Sequence, residues 1–127
     1  MKRRAMARQG DLLFVPLGRI PRGAHRLGRE QIELNEASGG IVLAHGEATG
    51  HSHTLEAPET RVYALGELTD LDEMELAIDV LGEDGAIVTH QEHAALKLER
   101  GLWQVQRQRE LGWAQDEAPV SISWVAD

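Results

Sequence analysis

The chain contains no cysteine. Disulfides, thiolate metal sites and cysteine nucleophiles are therefore all excluded. A cysteine-free chain fits a reducing compartment, and a cytoplasmic location is expected. Positive charge is scarce, with Lys plus Arg at 13 against Asp plus Glu at 21 and a formal net charge of -8. Extended nucleic-acid binding by counterion release needs a basic face, so it is not expected. No apolar run approaches the roughly 18 residues of a spanning helix, so no membrane segment is expected. Nor does an apolar stretch of roughly 7 or more residues follow the basic start, Met1 to Ala5, as a signal peptide would require. Repeats, low-complexity tracts and linkers are lacking too. At 127 residues a single domain over 1–127 is expected, with 1–8 as a flexible tail.

What remains is a series of short apolar segments punctuated by glycine and turn residues. Leu12 to Val15 reads as a strand, bounded by Gly10-Asp11 and Pro16. Ile32 and Leu34 alternate with polar neighbours, predicting a half-exposed strand. Ile41 to Ala44 reads as a buried one, after the turn signal Ser38-Gly39-Gly40. His51 to Leu55, Arg61 to Leu65 and Ala86 to Thr89 continue the pattern, and Ala95 to Leu98 follows a polar turn. Met74 to Val80 alternates with period two, although Leu68, Leu71, Met74 and Ile78 also suit a helix. Gly101 suits a tight turn before Trp103, Val105 and Arg107, which alternate with Gln104, Gln106 and Gln108. Val120 to Val125 suggests a last strand. Short strands at intervals of roughly ten residues predict an all-β barrel or sandwich. Amphipathic helices between strands are missing, which argues against a parallel α/β fold.

Histidine carries the chemistry. Six are present, and four fall in two clusters, Gly50-His51-Ser52-His53 and His90-Gln91-Glu92-His93. In an extended chain residues i and i+2 share a face, so His51 and His53 offer two imidazoles side by side. His90 and His93 converge if Gln91-Glu92 turns. Imidazole nitrogen accepts zinc, iron, manganese or nickel, and three imidazoles with an open position suit metal-bound water or substrate. His51, His53, His90 and His93 are the candidate ligands of a divalent ion, with His90 as either the fourth ligand or the catalytic acid/base. Glu47 and Glu92 are each a candidate ligand, orienting partner or general base. On the polar strand Gln104–Glu110, Arg107 and Arg109 share a face, and Arg109 is the candidate for neutralising substrate charge. His25 and His45 read as surface residues. The tryptophans Trp103, Trp113 and Trp124 read as core or interface.

Two resemblances follow. The order strand, Gly46-Glu47, Gly50, His51-x-His53, further strands and a distal histidine resembles the small double-stranded β-helix proteins called cupins. It implies paired metal-ligating histidines at 51 and 53 and a distal one at 90 or 93. The cupin glutamate follows the histidine pair; here Glu56 and Glu59 lie near that position and Glu47 precedes the pair. The proline-glycine element of the second cupin motif is missing. The chain is also similar to a set of short, uncharacterised bacterial and phage proteins. The shared pattern is Gln9-Gly10-Asp11, Gly46-Glu47-Ala48-Thr49-Gly50-His51-Ser52-His53, His90-Gln91-Glu92-His93 and Gln108-Arg109-Glu110. This resemblance spans nearly the whole chain and implies a site without implying a reaction.

The expectation is a metal-binding β-protein, an enzyme acting on a small polar or phosphorylated substrate. A metal-free alternative uses two histidines as acid and base on a phosphodiester or RNA end, with a short nucleotide as substrate. The non-catalytic alternative is a binding or assembly module stapled by its histidines. A homodimer through an exposed edge or face is expected.

Overall fold

The computed structural model describes residues 4–46, 50–57, 59–66 and 75–107. Ten strands follow in order: β1 Ala7–Gln9, β2 Leu12–Leu17, β3 His25–Arg26, β4 Ile41–His45, β5 Ser52–Glu56, β6 Thr60–Ala64, β7 Leu76–Val80, β8 Ala86–Thr89, β9 Leu96–Leu98 and β10 Gly101–Arg107. A single 3-10 turn, Arg29–Gln31, lies between β3 and β4. Two antiparallel sheets form, β1-β2-β10-β7-β6-β3 and β4-β5-β8-β9. The protein is all-β, as the turn-bounded strand pattern predicts. It is two packed sheets, not a closed barrel.

The period-two pattern decides which residues enter the core. In β10, Trp103 and Val105 are buried while Gln104 and Gln106 face outward. In β7, Leu76, Ile78 and Val80 pack inward, and their pairing with β6 and β10 settles 76–80 as strand. The segment 67–74, including Met74, and the strand expected at 120–125 lie outside the described residues. Phe14, Ile78, Leu55, Val88 and Leu98 are all at 0% exposure, and they come from both sheets. The core thus sits between the sheets.

The N-terminal segment departs from expectation. Ala7–Gln9 is not a tail: it pairs with Leu12–Phe14 in a two-residue hairpin. Gly10 at φ 58 supplies the positive φ that a tight hairpin loop requires. Arg4 also docks, donating to the carbonyls of Leu17 and Leu102 and lying 4.8 Å over the Trp103 ring. The half-exposed strand expected at Ile32 to Asn35 reduces to one bridge, Leu34 to Ile41. Asn35 turns the chain there, its Oδ1 accepting from the amides of Ala37 and Ser38.

The two seams between the sheets differ. One is stitched: β1 lies against β9, and buried Gln9 donates from Nε2 to the carbonyls of Val88 and Ala94, 2.9 Å each. At the other, the backbone of β4 is bridged by Leu34 at Ile41 and bonded to the Glu33 carbonyl at Val42, and His45 reaches the Glu33 side chain. A cleft lies between β4 and the sheet carrying β6 and β7, lined also by Ile32 and Glu33. Among the described residues no helix is long and apolar enough to cross a membrane.

Candidate functional site

β5 and β8 are neighbours, with Thr54 opposite Thr89. This pairing puts His51 and His53, at the start of β5, beside His90 and His93, just past the end of β8. His53 shares the inward face with Leu55, while Ser52 and Thr54 face the other way, where their hydroxyls bond at 3.0 Å. The Gln91-Glu92 segment does bend. Gln91 bridges the two motifs, accepting from the Ser52 amide at 2.9 Å and donating to the Gly50 carbonyl at 3.1 Å. The four imidazoles gather as a result. Ring centroids lie 4.4 Å apart for His53 and His90, 4.6 Å for His90 and His93, 5.7 Å for His51 and His90, and 6.2 Å for His53 and His93.

His53 is the buried centre of this cluster, at 1% exposure. Its Nδ1 lies 2.9 Å from Gln9 Oε1. Because Gln9 Nε2 is committed to two carbonyls, Oε1 must accept, and His53 Nδ1 must donate. On the opposite edge, Nε2 lies 3.1 Å from Asp11 Oδ1. Arg107 donates from Nε to Asp11 Oδ2 at 2.8 Å and from its terminal nitrogen to the His45 carbonyl. The His53 contact is the main reason the Asp11 carboxyl sits well below the usual carboxylate range; burial opposes it, and Arg107 adds to it. His93 packs against the hairpin turn. A Cβ on Gly10 would stand 2.6 Å from His93 Nε2 and 3.3 Å from His53 Cε1, so only glycine leaves both rings in place.

The remaining two histidines differ in readiness. His90 Nδ1 accepts from the Glu92 amide at 3.0 Å, so the neutral ring carries its proton on Nε2 and presents a donor there. Desolvation, then the neighbouring imidazoles, hold His90 below the usual histidine range, with Glu92 opposing. His51 Nδ1 is buried and has no hydrogen-bond partner among the described residues; Glu92 Oε1 is 3.7 Å away.

Of the residues singled out from sequence, His51, His53, His90, His93 and Glu92 come together. Glu47 and Arg109 lie outside the described residues. Glu56, near the position of the cupin glutamate, faces away and accepts from the Thr89 hydroxyl. His25 is exposed, and His45 pairs with Glu33 at 2.8 Å on the surface, as expected of surface residues. Sequence pattern alone assigns no chemical role to Gln9 or Asp11. Their only signal was the Gln-Gly-Asp match, since nothing local shows that β1 closes against β8 and β9.

Two imidazoles on one ion at about 2.1 Å bring their centroids to roughly 4.5–5.5 Å, close to the spacings here. His53 Nε2 and Asp11 Oδ1 are likewise spaced as adjacent ligands would be. Even so, among the described residues no three histidine, aspartate or glutamate donors form a group that could hold an ion as they stand. Coordination requires the rings to turn within the cluster.

The fold and site define a small two-sheet β-protein with a histidine cluster at one end of its sandwich. A family model described as a domain of unknown function (DUF8820) matches residues 8–108, and the chain belongs to that family. The matched span contains both histidine motifs and the hairpin carrying Gln9 and Asp11. No curated protein and no solved structure matches the chain significantly.

Proposed function

We propose that this protein binds a divalent metal ion through His51, His53, His93 and Asp11, and uses it in a reaction on a small polar or phosphorylated substrate. The observation that carries the reading is His53 Nε2 facing Asp11 Oδ1, with the ring fixed from behind by Gln9 and flanked by the imidazoles of His90 and His93. A backbone-anchored acceptor on the second ring nitrogen is how proteins orient a metal-ligating histidine. Nitrogen with one carboxylate suits zinc, iron, manganese or nickel. When bound, the ion would act as a Lewis acid and lower the pKa of a bound water. His90, neutral and presenting Nε2–H, serves as a hydrogen-bond donor to the substrate. Glu92, 3.7 Å from His51 Nδ1, places negative charge beside that ring.

The test is metal content of protein purified without chelator. About one ion per chain is expected, lost in His53→Ala and in Asp11→Asn. Absence of metal, together with no thermal shift on adding zinc, nickel, manganese or iron(II), would overturn the reading.

One observation favours a metal-free reading: the donors do not converge as they stand. In it, His53 is held between two acceptors while His90 and His93 shuttle protons in phosphodiester cleavage. Cleavage that resists EDTA and has a bell-shaped pH profile would select it.

A further inference from the structure

Asp11 reaches the cluster with both carboxylate oxygens assigned. Oδ1 faces His53 Nε2 at 3.1 Å, and Oδ2 accepts from Arg107 Nε at 2.8 Å. Register puts the guanidinium there. Arg107 pairs with Leu12, the residue after Asp11, so the end of β10 lies beside the hairpin loop. A second bond, from a terminal nitrogen of Arg107 to the His45 carbonyl on β4, ties the guanidinium to the other sheet as well. The arginine is thus held at two points, and its bond to Oδ2 joins two charged groups, the stronger kind of hydrogen bond.

A carboxylate can meet an ion through one oxygen or through both. The imidazoles must turn to converge on an ion, but Asp11 is restrained from behind while they do. Chelation would require Oδ2 to leave Arg107, and the Nε–H of that partly buried side chain would lose its acceptor. We infer that Arg107 is a positioning residue of the metal site: it confines Asp11 to one coordinating oxygen. His51, His53, His93 and Asp11 then fill four positions, and the next stays open to water or a substrate atom. This rests on the proposed metal reading and adds the residue that keeps the substrate's position on the ion free.

The test loads the full chain with cobalt(II), whose visible bands change when a further ligand joins the ion. Imidazole is the probe, because it is mostly uncharged at about pH 8 and so is little affected by loss of the arginine's charge. The parent should bind imidazole at the ion. Arg107→Met frees Oδ2 to chelate, so it should hold the same amount of metal and bind imidazole about tenfold or more weakly, the scale of changes behind a metal ligand. Arg107→Lys keeps a cation for Oδ2 and should restore parental binding. An arginine that only ties the hairpin to β4 would change the melting temperature and leave imidazole binding by the loaded protein unmoved. Infrared difference spectra of the parent with and without metal read the same property with no variant, and so serve if Arg107→Met fails to fold. The two carboxylate stretches lie farther apart when one oxygen coordinates than when both do, and the wide separation is expected. Equal imidazole affinity in the parent and Arg107→Met, or the narrow separation in the loaded parent, overturns the inference and spares the metal site. A parent that takes up neither cobalt(II) nor zinc refutes the metal site itself, and the role of Arg107 with it.

Discussion

Replacing Gln9 with leucine isolates the joint on which both the fold and the site depend. The side chain is 3% exposed and makes three contacts: Nε2 to the Val88 and Ala94 carbonyls at 2.9 Å each, and Oε1 to His53 Nδ1 at 2.9 Å. Leucine matches the volume and keeps the packing, so the loss is polar. Leaving a buried group without a partner costs about 1–3 kcal/mol. The Val88 carbonyl and the His53 N–H are deepest, at about 1.5 kcal/mol each, and the Ala94 carbonyl is nearer water, at about 1 kcal/mol. The sum is about 4 kcal/mol, a large part of the roughly 5–15 kcal/mol that stabilises a domain. With a urea slope of about 2 kcal/mol/M the midpoint should fall by about 2 M. Gln9→Glu tests the donors separately, because a carboxylate still accepts from His53 but has nothing to give the two carbonyls. It should be destabilised at pH 7 as well. A midpoint change of under about 0.5 M in Gln9→Leu would show that the seam is held by something else.

Other outcomes follow from the same contacts. Gly10→Ala combines a positive φ with a Cβ 2.6 Å from His93 Nε2, so it should cost about 2–3 kcal/mol in a urea melt and abolish metal uptake. Gln91→Ala removes the bridge between the motifs at the surface; about 1 kcal/mol of stability should go, with faster hydrogen exchange at the Ser52 amide. Asp11 has its folded pKa depressed below 3.8, so its contribution is fully present above about pH 4 and is lost as the pH falls through the folded value. Asp11→Asn should therefore be less stable than the parent at pH 7, with the gap closing in acid melts below about pH 4.

The parts of the fold legible in the sequence are those whose signal is local. Alternation in Leu76–Val80 and Gly101–Arg107 gave strands because one face of each meets the core and the other does not. The i, i+2 spacing placed His51 and His53 on one face for the same reason. The pairing of Gln9 with Val88 and Ala94 spans 79 and 85 residues, and no local pattern encodes it. Asp11 was hidden by its setting, since an Asp after a Gly in a hairpin loop is ordinary turn chemistry. Ile32 to Asn35 misled in the opposite direction. Its alternation is real, but Asn35 bonds its own following amides and turns the chain away before a ladder can extend.

The two readings of the site make opposite demands on one atom. Gln9 forces a proton onto His53 Nδ1, and the Asp11 carboxylate opposite Nε2 has none to offer. In the metal-free chain a hydrogen bond across the 3.1 Å between Nε2 and Asp11 Oδ1 requires a proton on Nε2, with Arg107 on the far oxygen. A metal ion at Nε2 has to take the place of that proton, while Nδ1–H to Gln9 stays. Zinc binding should then release about one proton per ion from this ring, read by calorimetry in buffers of different ionisation enthalpy. Nitrogen-15 spectra should show Nδ1 protonated before and after, and Nε2 protonated only before. Zinc uptake with both His53 nitrogens still protonated would remove this ring from the ligand set. It would leave the Asp11–His53 pair as a fixed charge pair beside the site.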